Sequence, residues 1–327
     1  VKSLQISTFG KPAAVVELVE RDAPRPEAGQ VLVAMEAAPI NPSDLLLMRG
    51  RYGHRPRLPA ELGTEGIGRI IDVGAAVAPT RVGERVLIVP TLRHGTWQDQ
   101  VAVEADDALP VDPDADALQM AMLGINPMTA DLLLRSFVDL PPGAWVAQTG
   151  GSSAVGSYVV ALARQAGLRS LSLVRRPEAV PALLAAGADA VVVTGPQFAD
   201  DVADALGDDR ISLLIDGVAG DAVTDFVPWL AQGSTLVSYG GMSGGPVAMS
   251  PADLIFRDIR VRGFWQMHWL ERTPREEVAA AYARLGALVG DGVLKAPVTA
   301  TYTLDQCQAA LAHAAETGRA GKVLFAW

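Results

Sequence analysis

The apolar positions of this chain fall into two textures that meet near Leu118. Before that point the apolar runs are short and β-compatible, bounded by Pro and Gly: Val15–Val19, Val31–Met35, Ile67–Val73 and Arg85–Val89. Short strands with such punctuation predict a compact, partly closed β-lobe. Beyond Leu118 strand and helix patterns alternate. Ala144–Thr149 reads as a strand, followed by a turn of small residues and a helix over Val155–Ala166 that ends at Gly167. Leu171–Val174 is a second strand, and Pro181–Ala186 a helix closed by Gly187. Further strands are expected at Ala190–Val193, Ile211–Asp216, Thr235–Tyr239 and Val261–Phe264. This alternation predicts an α/β fold with a doubly wound parallel sheet. After Trp265 come an amphipathic helix, Arg275–Val289, then Val298–Tyr302, a short helix from Asp305 and a last strand, Lys322–Trp327.

Composition narrows the function classes. With 327 residues, half of them hydrophobic, the chain can bury a large core in two lobes. A net charge of −10 removes any general attraction to nucleic acid or anionic membrane. No apolar run approaches the roughly 20 residues that cross a bilayer. The opening Val1–Gln5 has neither the apolar core of a signal peptide nor the arginines of a presequence. Only four lysines occur (Lys2, Lys11, Lys295, Lys322) against abundant Arg, Ala, Asp and Gly, and the one cysteine is Cys307. These features predict a GC-rich bacterial source and the cytoplasm. A lone cysteine also excludes an internal disulfide and a four-cysteine zinc lobe. The histidines (His54, His94, His268, His313) show no paired ligand spacing.

Three local patterns carry chemistry. Gly63-Thr64-Glu65, with Gly68, Gly74 and Val77 at the following spacings, resembles the signature of zinc-dependent medium-chain alcohol dehydrogenases. Thr64 stands where those enzymes place a zinc-ligating histidine. A hydroxyl replaces imidazole poorly, so no metal is expected. The second pattern is Gly150-Gly151-Ser152-Ser153-Ala154-Val155-Gly156, between a predicted strand and helix. Backbone N–H groups in such a loop can cradle a pyrophosphate at the helix N-terminus. The third is Arg175-Arg176-Pro177, at the end of the next strand, where NAD-preferring domains carry an acidic residue for the ribose. Two guanidinium groups there suit the 2′-phosphate of NADPH, the alternative being a solvated pair on a loop.

Several blocks together are more specific. Asn41-Pro42-Ser43-Asp44, Gly95-Thr96-Trp97, Leu123-Gly124-Ile125-Asn126-Pro127-Met128-Thr129-Ala130, Tyr239-Gly240-Gly241-Met242, Leu254-Ile255-Phe256-Arg257-Asp258 and Arg262-Gly263-Phe264-Trp265 resemble, in order and spacing, blocks of the mitochondrial-type 2-enoyl thioester reductases. The resemblance implies a discontinuous β-rich GroES-like substrate domain (1–117 and 268–327) around a Rossmann NADPH-binding domain (118–267). It also implies a homodimer and reduction of the C2=C3 bond of a trans-2-enoyl thioester, on coenzyme A or on acyl carrier protein. Tyr52 falls at the family's proton donor, a role that suits a phenol protonated at neutral pH; a half-buried packing tyrosine is the plain alternative. By the same resemblance Asn126 would hold the nicotinamide ribose or carboxamide. Ser152, Ser153, Ala154 and Val155 would meet the pyrophosphate, and Arg175 and Arg176 the 2′-phosphate. Tyr239, Gly240, Gly241, Met242, Phe264, Trp265, Gln266 and Lys322 complete the expected cofactor contacts. The chain departs from the family at Gly150, Gly151 and Ala154 and around Gln266–Arg275.

Trp97 and Trp265 are candidates for lining an acyl groove, with core packing the usual fate of a tryptophan. Arg49, Arg51, His54, Arg55 and Arg57 cluster around Tyr52 in an otherwise acidic chain. They form either a solvated basic loop or, with Arg49 and Arg51 foremost, a dock for the phosphates of coenzyme A or for an acidic carrier protein. Two alternatives use the same cofactor. One is an NADPH-dependent reductase of quinones or α,β-unsaturated ketones, and the other a non-catalytic NADPH-binding protein.

Overall fold

The structure, a computed structural model, describes residues 1–327 and divides the chain into two compact units, Val1–Met128 with Met267–Trp327, and Thr129–Gln266. The chain leaves the first unit after Met128 rather than at the change of texture near Leu118. Helix Ala117–Ala121 belongs to the β-lobe: it buries Met120 and Ala121, and Gln119 exchanges two hydrogen bonds with the backbone of Ala296 (2.9 and 3.0 Å).

The first unit is built on a mostly antiparallel sheet in the order Val298–Tyr302, Lys322–Ala326, Gln30–Pro39, Gly66–Val73, Arg85–Ile88, Ala108–Pro110, with Gln100–Glu104 also paired to Gln30–Pro39. The last strand of the chain returns here, with Phe325 opposite Ala38. A smaller sheet joins Val16–Glu20, Lys2–Ile6 and Ala60–Glu61. The first of these starts one residue later than the apolar run suggests, because Pro12–Val15 form a helical turn with Pro12 at its start. Leu4, Ile6, Val31, Val33, Ile70, Val86, Trp97 and Phe325 meet in one core. The signature glycines are explained by close backbone approach. A Cβ on Gly74 would lie 1.7 Å from the carbonyl oxygen of Glu27, so no other residue fits without moving the strand.

The second unit carries six parallel strands in the order Ala190–Val193, Arg169–Val174, Trp145–Gln148, Ile211–Asp216, Leu230–Ser238, Arg260–Gly263. In chain order this is 3-2-1-4-5-6, the doubly wound dinucleotide-binding arrangement. The order in which strands are added to the sheet reverses between Trp145–Gln148 and Ile211–Asp216, and such a switch point leaves a crevice at the carboxyl ends of those strands. Helix Ala154–Gln165 follows the first strand and buries Tyr158, Val159, Val160, Leu162 and Ala163. Helix Phe198–Leu206 buries Phe198, Val202 and Leu206, one residue per turn at i, i+4 spacing. No helix is long and apolar enough to cross a membrane.

Candidate active site

In the first unit the site begins at Asn41, which caps helix Pro42–Met48. The Asn41 N–H donates to Asp44 Oδ2 (2.7 Å), closing a capping box with Pro42 at the first helical position. The other Asp44 oxygen accepts from the Thr64 hydroxyl (2.9 Å). Asn41 Nδ2 donates to Glu65 Oε1 (2.7 Å), and Glu65 Oε2 accepts from the backbone N–H of Ile125 (2.7 Å). Asn41 Oδ1 in turn accepts from Asn126 Nδ2 (3.1 Å) and from the Lys322 ammonium. Asn41, Asp44, Thr64, Glu65, Asn126 and Lys322 are all buried.

Six buried polar side chains hold one another in place here, as buried polar groups must. Burial pushes Asp44 up to about 6, against the pull of its bonds from Asn41 and Thr64 and of the Lys322 charge. Burial likewise raises Glu65, with Lys322 as the strongest opposing influence, and lowers Lys322, with Glu65 pulling it back up. The two therefore support each other's charge, and removing one partner would leave the other buried and uncompensated.

Zinc does not fit this arrangement. The Thr64 hydroxyl at the histidine position is committed to Asp44, and Lys322 brings a positive charge to the same cluster. No group of three His, Cys, Asp or Glu side chains is arranged to hold a metal ion.

Tyr52 lies on the loop after helix Pro42–Met48, half-buried and packed against the core of the unit. Around it Arg49, Arg51 and Arg57 are exposed, and the Arg55 guanidinium stacks 4.5 Å over the ring of Phe9. The expectation that Trp97 lines an acyl groove is corrected. Trp97 is fully buried, its indole N–H donates to the Pro39 carbonyl (3.3 Å), and its ring meets Phe325 edge-on at 5.2 Å. It is a core residue.

In the second unit Thr149 and Asp216 organise the switch point. The Thr149 hydroxyl donates to Asp216 Oδ1 (2.7 Å) and accepts from the Gly217 N–H (2.9 Å). Asp216 also accepts from the N–H groups of Val218 and Ala219 and from the Ser238 hydroxyl, tying together the ends of three strands. The loop Gly150–Ser153 leads into helix Ala154–Gln165. Ser153 caps that helix by accepting from the Gly156 N–H (3.1 Å), and the Gly151 N–H donates to the Leu173 carbonyl (2.9 Å). A Cβ on Gly156 would lie 2.3 Å from the Gly151 oxygen, so loop and helix approach as closely as only glycine permits.

These features suit a pyrophosphate at the helix N-terminus. Ser152 is exposed there, Ser153 and Ala154 are half-buried, and Val155 is buried. Val155 can contribute only its backbone N–H. Arg175 and Arg176 follow strand Arg169–Val174 directly and are exposed, and that strand is hydrogen-bonded to Trp145–Gln148, which leads into the loop.

Tyr239 donates its N–H to Asp216 O (2.8 Å), and its hydroxyl is bonded to Ser153. Burial pushes the Tyr239 phenol up to about 12, so it stays protonated at any working pH. Gly240 and Gly241 follow it, and Met242 is exposed. Phe264 packs edge-on against Phe137 at 6.1 Å and Trp265 is half-buried. Gln266 is buried and accepts from the Thr129 hydroxyl (3.4 Å). Two expected cofactor contacts, Asn126 and Lys322, are set by the structure in the buried network of the first unit, both bonded to Asn41 Oδ1.

Asn41, Asp44, Glu65, Thr149 and Asp216 were not singled out by sequence reasoning as site residues. Two signals were present. Asn41 and Asp44 stand at capping-box spacing, and Asp216 ends an otherwise apolar strand.

Residues 27–113 match the family described as alcohol dehydrogenase GroES-like domain, and residues 154–285 the family described as zinc-binding dehydrogenase. The mitochondrial enoyl-acyl-carrier-protein reductase of Rattus norvegicus is 34% identical over 316 residues, covering 95% of this chain and 84% of that protein. A Bacillus thuringiensis structure described as an NADPH:quinone reductase superposes with a TM-score of 0.90 at 27% identity, covering 100% of this chain and 98% of that one. The Etr1p complex with NADP and crotonyl-CoA superposes with a TM-score of 0.86 at 26% identity, covering 100% and 99%. The Etr1p/Etr2p heterodimer of Candida tropicalis, a mitochondrial 2-enoyl thioester reductase, gives 0.86 at 25% identity, covering 100% and 99%.

The expectation of a bacterial cytoplasm does not stand, because the curated relatives are named as mitochondrial enzymes of eukaryotes. A lone unpaired cysteine suits any reducing compartment and did not discriminate between them. With a GroES-like lobe, a 3-2-1-4-5-6 parallel sheet and these relatives, the chain belongs to the enoyl-acyl-carrier-protein reductase group of the medium-chain dehydrogenase/reductase superfamily and is an oxidoreductase.

Proposed function

We propose that this oxidoreductase uses NADPH to reduce the C2=C3 bond of a trans-2-enoyl thioester without a metal. The observation that carries the reading is the fate of the zinc position. Thr64 is locked to Asp44 beside a buried lysine, so charge developing on the substrate must be met by protic donors, and Tyr52 stands on the adjoining loop as a phenol. The bound cofactor supplies a hydride to C3. Tyr52 gives its proton to C2, and the phenolate left behind is reprotonated from water. Asn126, held by Asn41, is fixed in one orientation to bond the nicotinamide ribose or carboxamide. The loop Ser152–Val155 would hold the pyrophosphate, Arg175 and Arg176 the 2′-phosphate, and Tyr239–Met242 with Phe264–Gln266 the nicotinamide half. Arg49 and Arg51 would meet the phosphates of the carrier, coenzyme A or an acidic acyl carrier protein.

Strand Arg260–Gly263 is exposed along its whole length at the edge of the parallel sheet, beside exposed Ile255 and Phe256. An open edge next to apolar surface supports a homodimer. Sedimentation is expected to give twice the chain mass, and a monomer at all concentrations would remove this part of the reading.

A second reading, reduction of quinones or enones, is favoured by the likeness to the Bacillus thuringiensis structure. One assay separates the two. After prolonged chelation the protein is expected to reduce crotonyl-CoA with NADPH, at higher kcat/KM than a simple quinone. Stoichiometric zinc whose removal abolishes turnover would overturn the metal-free mechanism, and a preference for the quinone would install the second reading.

A further inference from the structure

The first unit contains a cavity of about 420 Å³ between the loop that follows Tyr52 and the loop Leu92–Gly95, with Asp44 and Thr64 among its lining residues. Its volume lies in the range of small-molecule sites. Its chemistry is not that of a hydrocarbon slot: Arg21, Arg57, Arg93, His54 and His94 all line it. Two of these cations have acidic partners, Arg21 in Glu61 and Arg93 in Asp107, a carboxylate that Arg93 shares with Arg275. Arg57 is exposed with no acidic partner, and His94 Nε2 is buried without a hydrogen-bond partner. Burial holds His94 below its ordinary range, so it offers a neutral N–H or lone pair rather than a fixed charge. The cavity thus presents one guanidinium without an acidic partner, Arg57, with imidazole groups and the carboxylates of Asp44 and Glu61 also in its lining. A single planar monoanion matches that set better than a dianionic phosphate, because a guanidinium fork pairs with a carboxylate in two parallel bonds.

We propose that this cavity receives a carboxylate carried at the far end of the acyl group, so that enoyl thioesters with a terminal carboxylate are preferred substrates. The inference rests on the proposed enoyl thioester reduction and adds the class of acyl group. The cavity shares Asp44 and Thr64 with the network that holds Asn126, and His54 on its wall is two residues from Tyr52. A chain seated at Tyr52 therefore has this polar space at hand.

The test uses matched pairs of trans-2-enoyl-CoA and trans-2-enedioyl-CoA over a range of chain lengths, with the wild type and Arg57→Gln. The wild type is expected to favour the best-fitting diacid over its neutral partner by roughly 10- to 100-fold in kcat/KM, the scale of charge-assisted hydrogen bonds. In Arg57→Gln the ratio is expected to fall toward one. Calorimetry with free glutarate gives a readout independent of turnover: binding to the wild type, and at least tenfold weaker binding to Arg57→Gln. A wild-type ratio near one at every length, or a ratio unchanged by Arg57→Gln, would overturn the proposal. So would an equal loss on both CoA thioesters with none on crotonyl-pantetheine, since that would assign Arg57 to the carrier's phosphates. If no enoyl-CoA is turned over but glutarate binds through Arg57, the reduction reading fails while the anion site stands.

Discussion

Tyr52→Phe is expected to leave NADPH affinity nearly unchanged and to slow reduction of an enoyl-CoA by roughly 10²–10⁴-fold, the usual scale of general acid catalysis. The substitution deletes one hydroxyl from a ring packed against the core of the first unit, and phenylalanine keeps that packing. In the proposed metal-free mechanism the charge that follows hydride addition is left to protic donors, since the Thr64 hydroxyl at the histidine position is committed to Asp44. The loss should therefore fall on the step that needs the proton. Reduction of a quinone places charge on oxygens that solvent can protonate, so the same variant should lose much less there. Steady-state kinetics with crotonyl-CoA and a quinone, together with NADPH titration, provide the check. Crotonyl-CoA turnover near the wild-type rate would remove Tyr52 from the mechanism. An equal large loss on both substrates would mark it as structural.

The Arg175→Ala/Arg176→Ala double variant is expected to lose roughly 10²-fold in its preference for NADPH over NADH. Both side chains are exposed at the end of strand Arg169–Val174, so solvent screens them and the effect belongs at the lower end for two charge-assisted contacts. Because NADH lacks the 2′-phosphate, its efficiency should barely move. The ratio of kcat/KM values for the two cofactors reads this directly. A ratio that stays at its wild-type value would show that the 2′-phosphate is held elsewhere.

Much of the second unit was legible because its strands are apolar runs closed by glycine. Ala190–Val193 and Ile211–Asp216 occupy in the structure the spans read from the chain, and Arg260–Gly263 lies one residue earlier than expected. Strand Leu230–Ser238 begins five residues before the expected Thr235, since Leu230 already pairs with Ile211 and the stretch with Gln232-Gly233-Ser234 forms an irregularity before pairing resumes at Thr235. The end of the β-lobe at Met128 was hidden for a different reason. Helix Ala117–Ala121 looks like the first helix of the next domain, and only its long-range bonds to Ala296 show which unit holds it.

At the site, the loop Gly150–Ser153 and the arginine pair could be read because backbone geometry and charge are local properties. The Asn41–Glu65–Lys322 network could not, because its members lie far apart in the chain and each resembles an ordinary polar residue. Trp97 shows the converse: nothing local distinguishes a groove tryptophan from one that donates to Pro39 in the core.

The central claim, hydride to C3 and a solvent-exchangeable proton to C2, is tested most directly by isotope transfer. Crotonyl-CoA reduced with NADPH dideuterated at C4 of the nicotinamide should give butyryl-CoA with one deuterium at C3 and none at C2. The same reaction in D₂O with unlabelled NADPH should place one deuterium at C2 alone, delivered through the exchanged hydroxyl of Tyr52. Deuterium from the cofactor at C2, or no butyryl-CoA while a quinone is readily reduced, would contradict the account.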